Sequence, residues 1–282
     1  MQRPPSRARF EAIAKETWLL DTGRRASDAL AAAGVASVLI KGCALAGWLH
    51  RPGARPMADC DVLVARRDRD RAARALRDAG YLRVPRPHSP TGMRWHPTLD
   101  FSAPNGALLD LHVGVGAWPR FQVDVAGILA RSVPAEAVGG TARRPCLADL
   151  IWLHSLDVAK DDGRCKPTAD LDLRALAAAA SHRDWQHAAE CAHVAGCAAT
   201  LWTRLLTLDE AAPAVAEVAM LLRPSTPRRW AIEALATTPR TGALGRLAAG
   251  WAHTDSTARY GAAATFFAAR SLLDYALRAA DR

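Results

Sequence analysis

From Pro145 to the C-terminus the sequence is dominated by alanine and leucine and carries almost no strand signal, whereas the stretch before it alternates helical and β-branched runs. Such a change of pattern divides the chain into a mixed α/β half and an all-helical half. In the second half Leu147, Leu150, Ile151, His154 and Val158 recur at helical spacing, and similar stripes return through Trp185, Leu201-Trp202-Leu205 and Phe266-Phe267-Leu272-Tyr275. Each stripe is an apolar face in need of a partner helix, which predicts a bundle. Val133 to Pro145, with Pro134, Gly139-Gly140 and Pro145, reads as the linker. The expected fold is therefore α+β: an α/β domain over 1–140 with its own N-terminal helix and a small mixed sheet, then a helical domain over 146–282.

Within the first half, residues 6 to 33 have helical spacing through Phe10, Ile13, Ala14 and Trp18, then Ala26, Ala29, Leu30 and Ala33. Val35 to Ile40 is β-branched and apolar, Lys41-Gly42 breaks it, and Cys43 to His50 returns to helical spacing. Arg51 to Pro56 is a loop, Asp59 to Val64 a second strand, and Asp68 to Gly80 an arginine-rich helix. Met93 to Phe101 and Ala107 to Val113 flank Pro104-Asn105-Gly106, and an Asn-Gly pair between two such runs predicts a hairpin. No internal repeat is present at a fixed period.

Composition narrows the functional classes. No apolar run approaches the roughly 20 residues of a membrane span, and the basic N-terminus runs into Phe10-Glu-Ala-Ile-Ala-Lys-Glu rather than a signal-peptide core, so a cytoplasmic, non-membrane protein is expected. The six cysteines fall in no CxxC pair, which predicts reduced thiols. His187 and Cys191 share a helical face and His193 lies nearby, but the grouping matches no standard zinc spacing and no fourth ligand is evident, so no zinc site is read there. Lys plus Arg number 37 against 28 Asp plus Glu, and the resulting +9 suits anionic partners such as nucleotides, RNA or an acidic peptide. The arginines are dispersed without interleaved aromatics, which argues against a single-strand nucleic-acid groove. Those of Arg66 to Arg74 alternate with aspartates, as in an exposed helix laced by local ion pairs.

The chemistry concentrates around Asp59-Cys60-Asp61. In a strand, side chains two apart leave the same face, about 6.6 Å apart along the chain. Two carboxylates so placed repel unless an oxygen-seeking divalent cation such as Mg²⁺ (or Mn²⁺) relieves them. Lys41-Gly42 ends one strand and opens a helix at Cys43, where backbone N–H groups can meet a phosphate. Lys41 and Arg55 are candidates for fixed positive charge on phosphates, although Arg55 can equally serve by pairing with Asp59 or Asp61. Asp110, on the return strand after Asn105-Gly106, is the preferred third carboxylate, and Asp100 on the other arm competes with it. His112 reads as a hydrogen-bonding support for a neighbouring carboxylate.

The runs Leu39-Ile-Lys-Gly-Cys-Ala-Leu-Ala, Arg55-Pro-Met-Ala-Asp-Cys-Asp-Val-Leu-Val64 and Leu109-Asp-Leu-His112 together resemble the uncharacterised bacterial nucleotidyltransferases of the DNA polymerase beta superfamily. The segment Leu147 to Trp185, with His154, Lys160 and Asp172-Leu-Arg-Ala-Leu, resembles that family's helical half. The resemblance implies a small mixed sheet, Asp59, Asp61 and Asp110 as metal ligands, and a Gly42 turn on the triphosphate. Two positions depart from the pattern: Cys43 stands where the superfamily usually has glycine or serine, and Ala58 where the family often has glycine. The implied reaction moves an NMP group from an NTP to an acceptor, a small molecule, a peptide or an RNA, with release of pyrophosphate. His154, Lys160, Arg164, Lys166 and Asp172 are the helical-half candidates for closing over the nucleotide. A catalytically silent binding protein and a toxin-like enzyme that modifies tRNA are the alternatives.

Overall fold

The computed structural model describes residues 6–84, 98–115, 120–161, 163–208, 213–237 and 242–280. They fall into two compact units, one made of the described residues within 6–115 and 125–146, the other of those within 120–124 and 147–280.

The first unit opens with α1 (Arg7–Ala32), whose first turn is capped by the Ser6 hydroxyl accepting from the Arg9 N–H. There follow β1 (Ser37–Ile40), the short α2 (Lys41–Leu45), β2 (Cys60–Val64), a 3₁₀ turn (Arg66–Asp68), α3 (Arg69–Asp78), β3 (Leu82–Arg83), β4 (Thr98–Ser102) and β5 (Leu108–His112). The expected helix from Cys43 to His50 is shorter and starts earlier than its spacing suggests. The chain leaves helical conformation at Ala46, and a bridge between Ala46 and His50 closes the remainder as a loop.

The five strands form one sheet in the order β1-β2-β5-β4-β3. β1 pairs antiparallel with β2, β5 antiparallel with β4, and β4 antiparallel with β3, while β2 and β5 run parallel. One face is apolar: Cys60, Val62 and Val64, Leu109 and Leu111, and Leu99 and Phe101 cluster with Leu19, Ala26 and Leu30 of α1 and Ala72 and Leu76 of α3. Burying each large side chain of this set contributes about 1.5–3 kcal/mol. A one-residue slip would turn the whole set outward, so this face fixes the register of the opposite one. On that opposite face the alternation places Asp61, Asp110, His112, Asp100 and Thr98. The β4–β5 turn is tied to α1 through Asn105, whose Oδ1 accepts from the Ala107 N–H and whose amide donates to the Thr22 hydroxyl.

Helix α4 (Val125–Ala130) leads into a second small sheet, β6 (Val133–Pro134) with β7 (Arg143–Arg144). This is the stretch whose glycines and prolines suggest a linker. It is instead a hairpin belonging to the first unit, because Ala135 and Ala142 enter the hydrophobic core and Asp28 of α1 accepts from both the N–H and the hydroxyl of Thr141. The Gly139-Gly140 pair makes its turn.

The second unit is helical: α5 (Leu147–Lys160), α6 (Thr168–Ala179), α7 (His182–Ala195), α8 (Ala198–Leu205), α9 (Pro213–Leu221), α10 (Thr226–Thr237), α11 (Gly242–Ala252) and α12 (Thr257–Ala280). Helix α5 is buried beyond its predicted stripe. Leu150, Ile151 and Val158 are covered, and so are Asp149, Trp152, Ser155 and Leu156, as expected of a helix at the centre of its unit rather than on its rim. Helix α7 is held at both ends, by a capping box between Ser181 and Asp184 and by Gly196 in the left-handed conformation after Ala195. Trp185, Leu201, Trp202 and Leu205 are buried. The side chains of Phe267, Leu272 and Tyr275 lie outside the described residues. Among the described residues no helix is long and apolar enough to cross a membrane.

Candidate active site

Three adjacent strands bring three aspartates into one row. In Cα register Ile40 of β1 faces Asp61 of β2, Asp61 faces Asp110 of β5, and Asp110 faces Asp100 of β4. Laterally paired residues project to the same side of a sheet, so Asp61, Asp110 and Asp100 share the face opposite the core. His112, two residues beyond Asp110, shares it too. Ligand atoms of Asp61, Asp110 and His112 all lie within 4.8 Å of one another.

Asp61 is closely held. It is 3% exposed, and its Oδ1 receives both the Lys41 ammonium at 2.5 Å and the His112 Nε2 at 2.7 Å. Donation from Nε2 leaves the other ring nitrogen facing the Thr98 hydroxyl at 3.4 Å. Burial is the largest single influence on the Asp61 carboxyl and pushes its pKa up. The hydrogen bond from His112 and the charges of Lys41 and His112 outweigh it and hold the group at about 2. The site thus keeps a carboxylate ionised inside a buried face.

Lys41 reaches Asp61 from an unusual backbone. Its φ of 51° lies in the left-handed region, where a residue with a Cβ is strained by roughly 1–2 kcal/mol. It is the first residue of α2, directly after the strand that pairs with β2, so the same kink that starts the helix turns the lysine onto the neighbouring strand. Gly42 follows. A Cβ there would lie 2.6 Å from Nη1 of Arg55 and 2.9 Å from the sulfur of Met57, so the absent side chain is what lets the Arg55–Met57 segment close over the turn. Arg55 also donates to the carbonyl of Pro56 at 3.2 Å.

The loop that carries Arg55 is itself anchored. Glu16 of α1, buried, accepts from the backbone N–H of Gly53 at 2.9 Å. Gly53 has φ +73°, and a Cβ on it would meet Ile13 at 2.7 Å and backbone atoms of α1 just beyond.

The remaining sequence candidates are placed as follows. Asp59 sits in a bend immediately before β2, partly exposed, and is not a member of the Asp61–Asp110–His112 group. The alternation that would align it with Asp61 requires extended backbone, which begins only at Cys60. Cys43 turns its thiol into the core, where it meets the carbonyl of Asp59 at 4.0 Å and the thiol of Cys60. The hydrogen bond with Cys43, then burial, pushes the Cys60 thiol well up, so it stays protonated. Cys43 can therefore address a ligand only through its backbone. His154, Lys160 and Asp172 lie in the helical unit: His154 half-buried on α5, Asp172 buried on α6, and Lys160 paired with Asp157, which also meets Lys166 at 3.6 Å. Arg164 is exposed there and donates to the Asp161 carbonyl. In α3 and the turn before it, Arg71 pairs with Asp68 at 2.6 Å, the local kind of ion pairing expected of that charged run.

No sequence signal marks the left-handed Lys41, whereas His112, expected to support a neighbouring carboxylate, does so on Asp61 of the adjacent strand. The His112 signal was available, since residues two apart on a strand share a face.

The site thus sets a buried, ionised Asp61 in register with Asp110 on a parallel strand pair, beside the Lys41-Gly42 turn. The chain belongs to the family described as "Uncharacterised nucleotidyltransferase", whose model matches residues 5–213, well over half its length. It is accordingly a transferase of phosphorus-containing groups. No curated protein matches it.

Proposed function

We propose that this protein transfers a nucleoside monophosphate from an NTP to an acceptor, releasing pyrophosphate, with Asp59, Asp61 and Asp110 as its acidic centre. The observation that carries the reading is the in-register pairing of Asp61 with Asp110 on parallel strands, in a chain of a nucleotidyltransferase family. Carboxylate oxygens of Asp61 and Asp110 within 4.8 Å of each other form a hard donor set that fits Mg²⁺ or Mn²⁺, with His112 occupied in orienting Asp61. Asp61 and Asp110 would hold the ion, joined by Asp59 from the bend before β2. Such an ion supplies neutralisation of the charge that builds on the phosphate oxygens.

The chain's own groups do the rest. An acceptor oxygen forms the new bond to the α-phosphorus, the bond from that phosphorus to the β-phosphate bridging oxygen breaks, and the electrons leave with pyrophosphate. Asp110 takes the acceptor's proton. His112 keeps Asp61 ionised and oriented. Arg55, seated over Gly42, gives fixed positive charge to the triphosphate, and the amides of Gly42 and Cys43 line the turn beside it. Lys41 shares Asp61 and adds a second positive charge at the same place. His154, Lys160 and Asp172 remain the helical-unit candidates for nucleotide or acceptor.

The acceptor is a hydroxyl or phosphate on a small molecule, a peptide or a tRNA, and the cytoplasm, in keeping with six free thiols, is the proposed compartment. Incubation with each α-labelled NTP, Mg²⁺ or Mn²⁺ and a lysate of the source cells tests this: label moves to an acceptor, and Asp61→Ala or Asp59→Ala abolishes the transfer. Absence of transfer with every NTP, in a protein that still binds its partner, would instead mark a silent binding protein. Growth arrest on expression, relieved by Asp61→Ala, would point to the toxin-like reading, in which tRNA is the acceptor.

A further inference from the structure

The helical unit holds a second cluster of metal-type donors, remote in sequence from the aspartate row. His187 and Cys191 stand one turn apart on α7, and Asp149 reaches them from α5, the helix against which α7 packs. Their ligand atoms all lie within 4.8 Å of one another. We infer that Asp149, His187 and Cys191 form a zinc site that clamps α7 to α5.

The geometry matches the ion. With Zn–S about 2.3 Å and Zn–N about 2.0–2.1 Å, the sulfur-to-nitrogen edge of a tetrahedral site is about 3.6 Å. The Cys191 sulfur lies 3.6 Å from Nε2 of His187. The charge also matches, because one thiolate, one carboxylate and one neutral imidazole sum with Zn²⁺ to zero, which suits a position where Asp149 is fully buried. The groups around the cluster are arranged to orient it. Trp152 donates from its indole to Oδ1 of Asp149 at 2.9 Å, and Nδ1 of His187 faces the exposed Glu190 carboxylate at 3.7 Å, an ion-pair separation rather than a hydrogen bond. Donor softness selects the metal: a thiolate with an imidazole favours Zn²⁺ over Mg²⁺, so this site and the oxygen-rich one take different ions. His187 and Cys191 are only half-buried, which leaves the fourth position to water. His193, exposed on another side of α7, is not part of the group.

Binding is a proton exchange as well as a ligation: Zn²⁺ forms a bond to the Cys191 sulfur as the thiol proton passes to solvent. The test is titration of the full-length, reduced, metal-stripped protein with Co²⁺, a stand-in for Zn²⁺ that reports thiolate ligation by a near-ultraviolet charge-transfer band. One equivalent of Co²⁺ should give the band, and Zn²⁺ should displace it. Cys191→Ser should remove the band, and His187→Ala should weaken binding about 100-fold or more. Both substitutions fall at half-exposed positions that leave the helices folded, checked by circular dichroism. Asp149→Asn should also weaken binding, with the same check on folding. An Asp61→Asn/Asp110→Asn variant must keep the band, which separates this site from the one proposed for the transferase. Absence of the band, or a band that survives Cys191→Ser, overturns the proposal and leaves a plain thiol–imidazole hydrogen bond.

Discussion

Asp61 and Asp110 face each other in register across the one parallel pairing of the five-stranded sheet, with the Lys41 ammonium and the His112 ring on the Asp61 carboxylate. Side-by-side carboxylates repel when both are ionised. A cation that binds them binds only the folded chain, so it stabilises by mass action. Mg²⁺ at about a hundred times its dissociation constant should raise the unfolding free energy by about 2.7 kcal/mol. Asp110→Asn should be at least as stable as the parent in EDTA and should gain nothing from Mg²⁺. Urea unfolding with and without the metal reads both effects, and a full Mg²⁺ gain in Asp110→Asn would move the metal elsewhere.

Acid should act through Asp61. Its folded pKa of about 2 lies below the ordinary 3.8, so the carboxylate is worth more in the folded state. That contribution is complete above pH 4 and disappears as pH falls through about 2, and the shift corresponds to roughly 2 kcal/mol. His112→Ala removes one of the groups that hold the pKa down, and leaves a buried carboxylate with one partner fewer. The variant should lose roughly 1–3 kcal/mol at neutral pH and begin its acid loss at a higher pH than the parent. Urea midpoints from pH 2 to 7 in chelator measure this, and superimposable pH profiles would refute it.

Gly42→Ala should separate function from stability. The atoms its Cβ would strike are the far ends of Arg55 and Met57, both flexible, so stability should change by no more than about 1 kcal/mol. Displacing the Arg55 guanidinium should nevertheless weaken NTP binding about tenfold, equivalent to about 1.4 kcal/mol. Arg55→Ala should show the same loss, and the double variant no more than either. Additive losses in a nucleotide titration would mean that Gly42 and Arg55 act separately.

Gly53→Ala should do the reverse. Its positive φ and the α1 backbone beneath it leave the Cβ no room, so a loss of about 2–4 kcal/mol is expected from overpacking together with left-handed strain. Glu16→Gln, which keeps an acceptor for the Gly53 N–H, should be much milder. Equilibrium unfolding of both variants decides the point.

Much of this architecture was legible because it depends on local pattern. The Asn105-Gly106 pair announced the hairpin of β4 and β5, and strand alternation separated the apolar Leu109 and Leu111 from Asp110 and His112. Other parts depend on contacts no local pattern records. Val133 to Pro145 has a linker's composition, yet Asp28 and two core alanines hold it as a hairpin. Asp59 lies one residue short of the strand, where alternation no longer governs it. Lys41 has an ordinary side chain in a conformation that glycine normally takes, and nothing in its identity signals that. Asp149 reads as one more polar position on an amphipathic helix until α7 is laid against it.

The parallel pairing of β2 with β5 also sets an order of events during synthesis. β1 and β2 are near neighbours in the chain, whereas Asp61 and His112 are 51 residues apart, and a parallel pair cannot close as a hairpin. A ribosome-bound chain that has emerged only as far as α3 has a lysine, a glycine turn and two of the three proposed acidic residues, Asp59 and Asp61, with an open strand edge where β5 will dock. The row of Asp61, Asp110 and His112 is therefore completed late, with the insertion of β5, and a nascent fragment released before that strand is made lacks it.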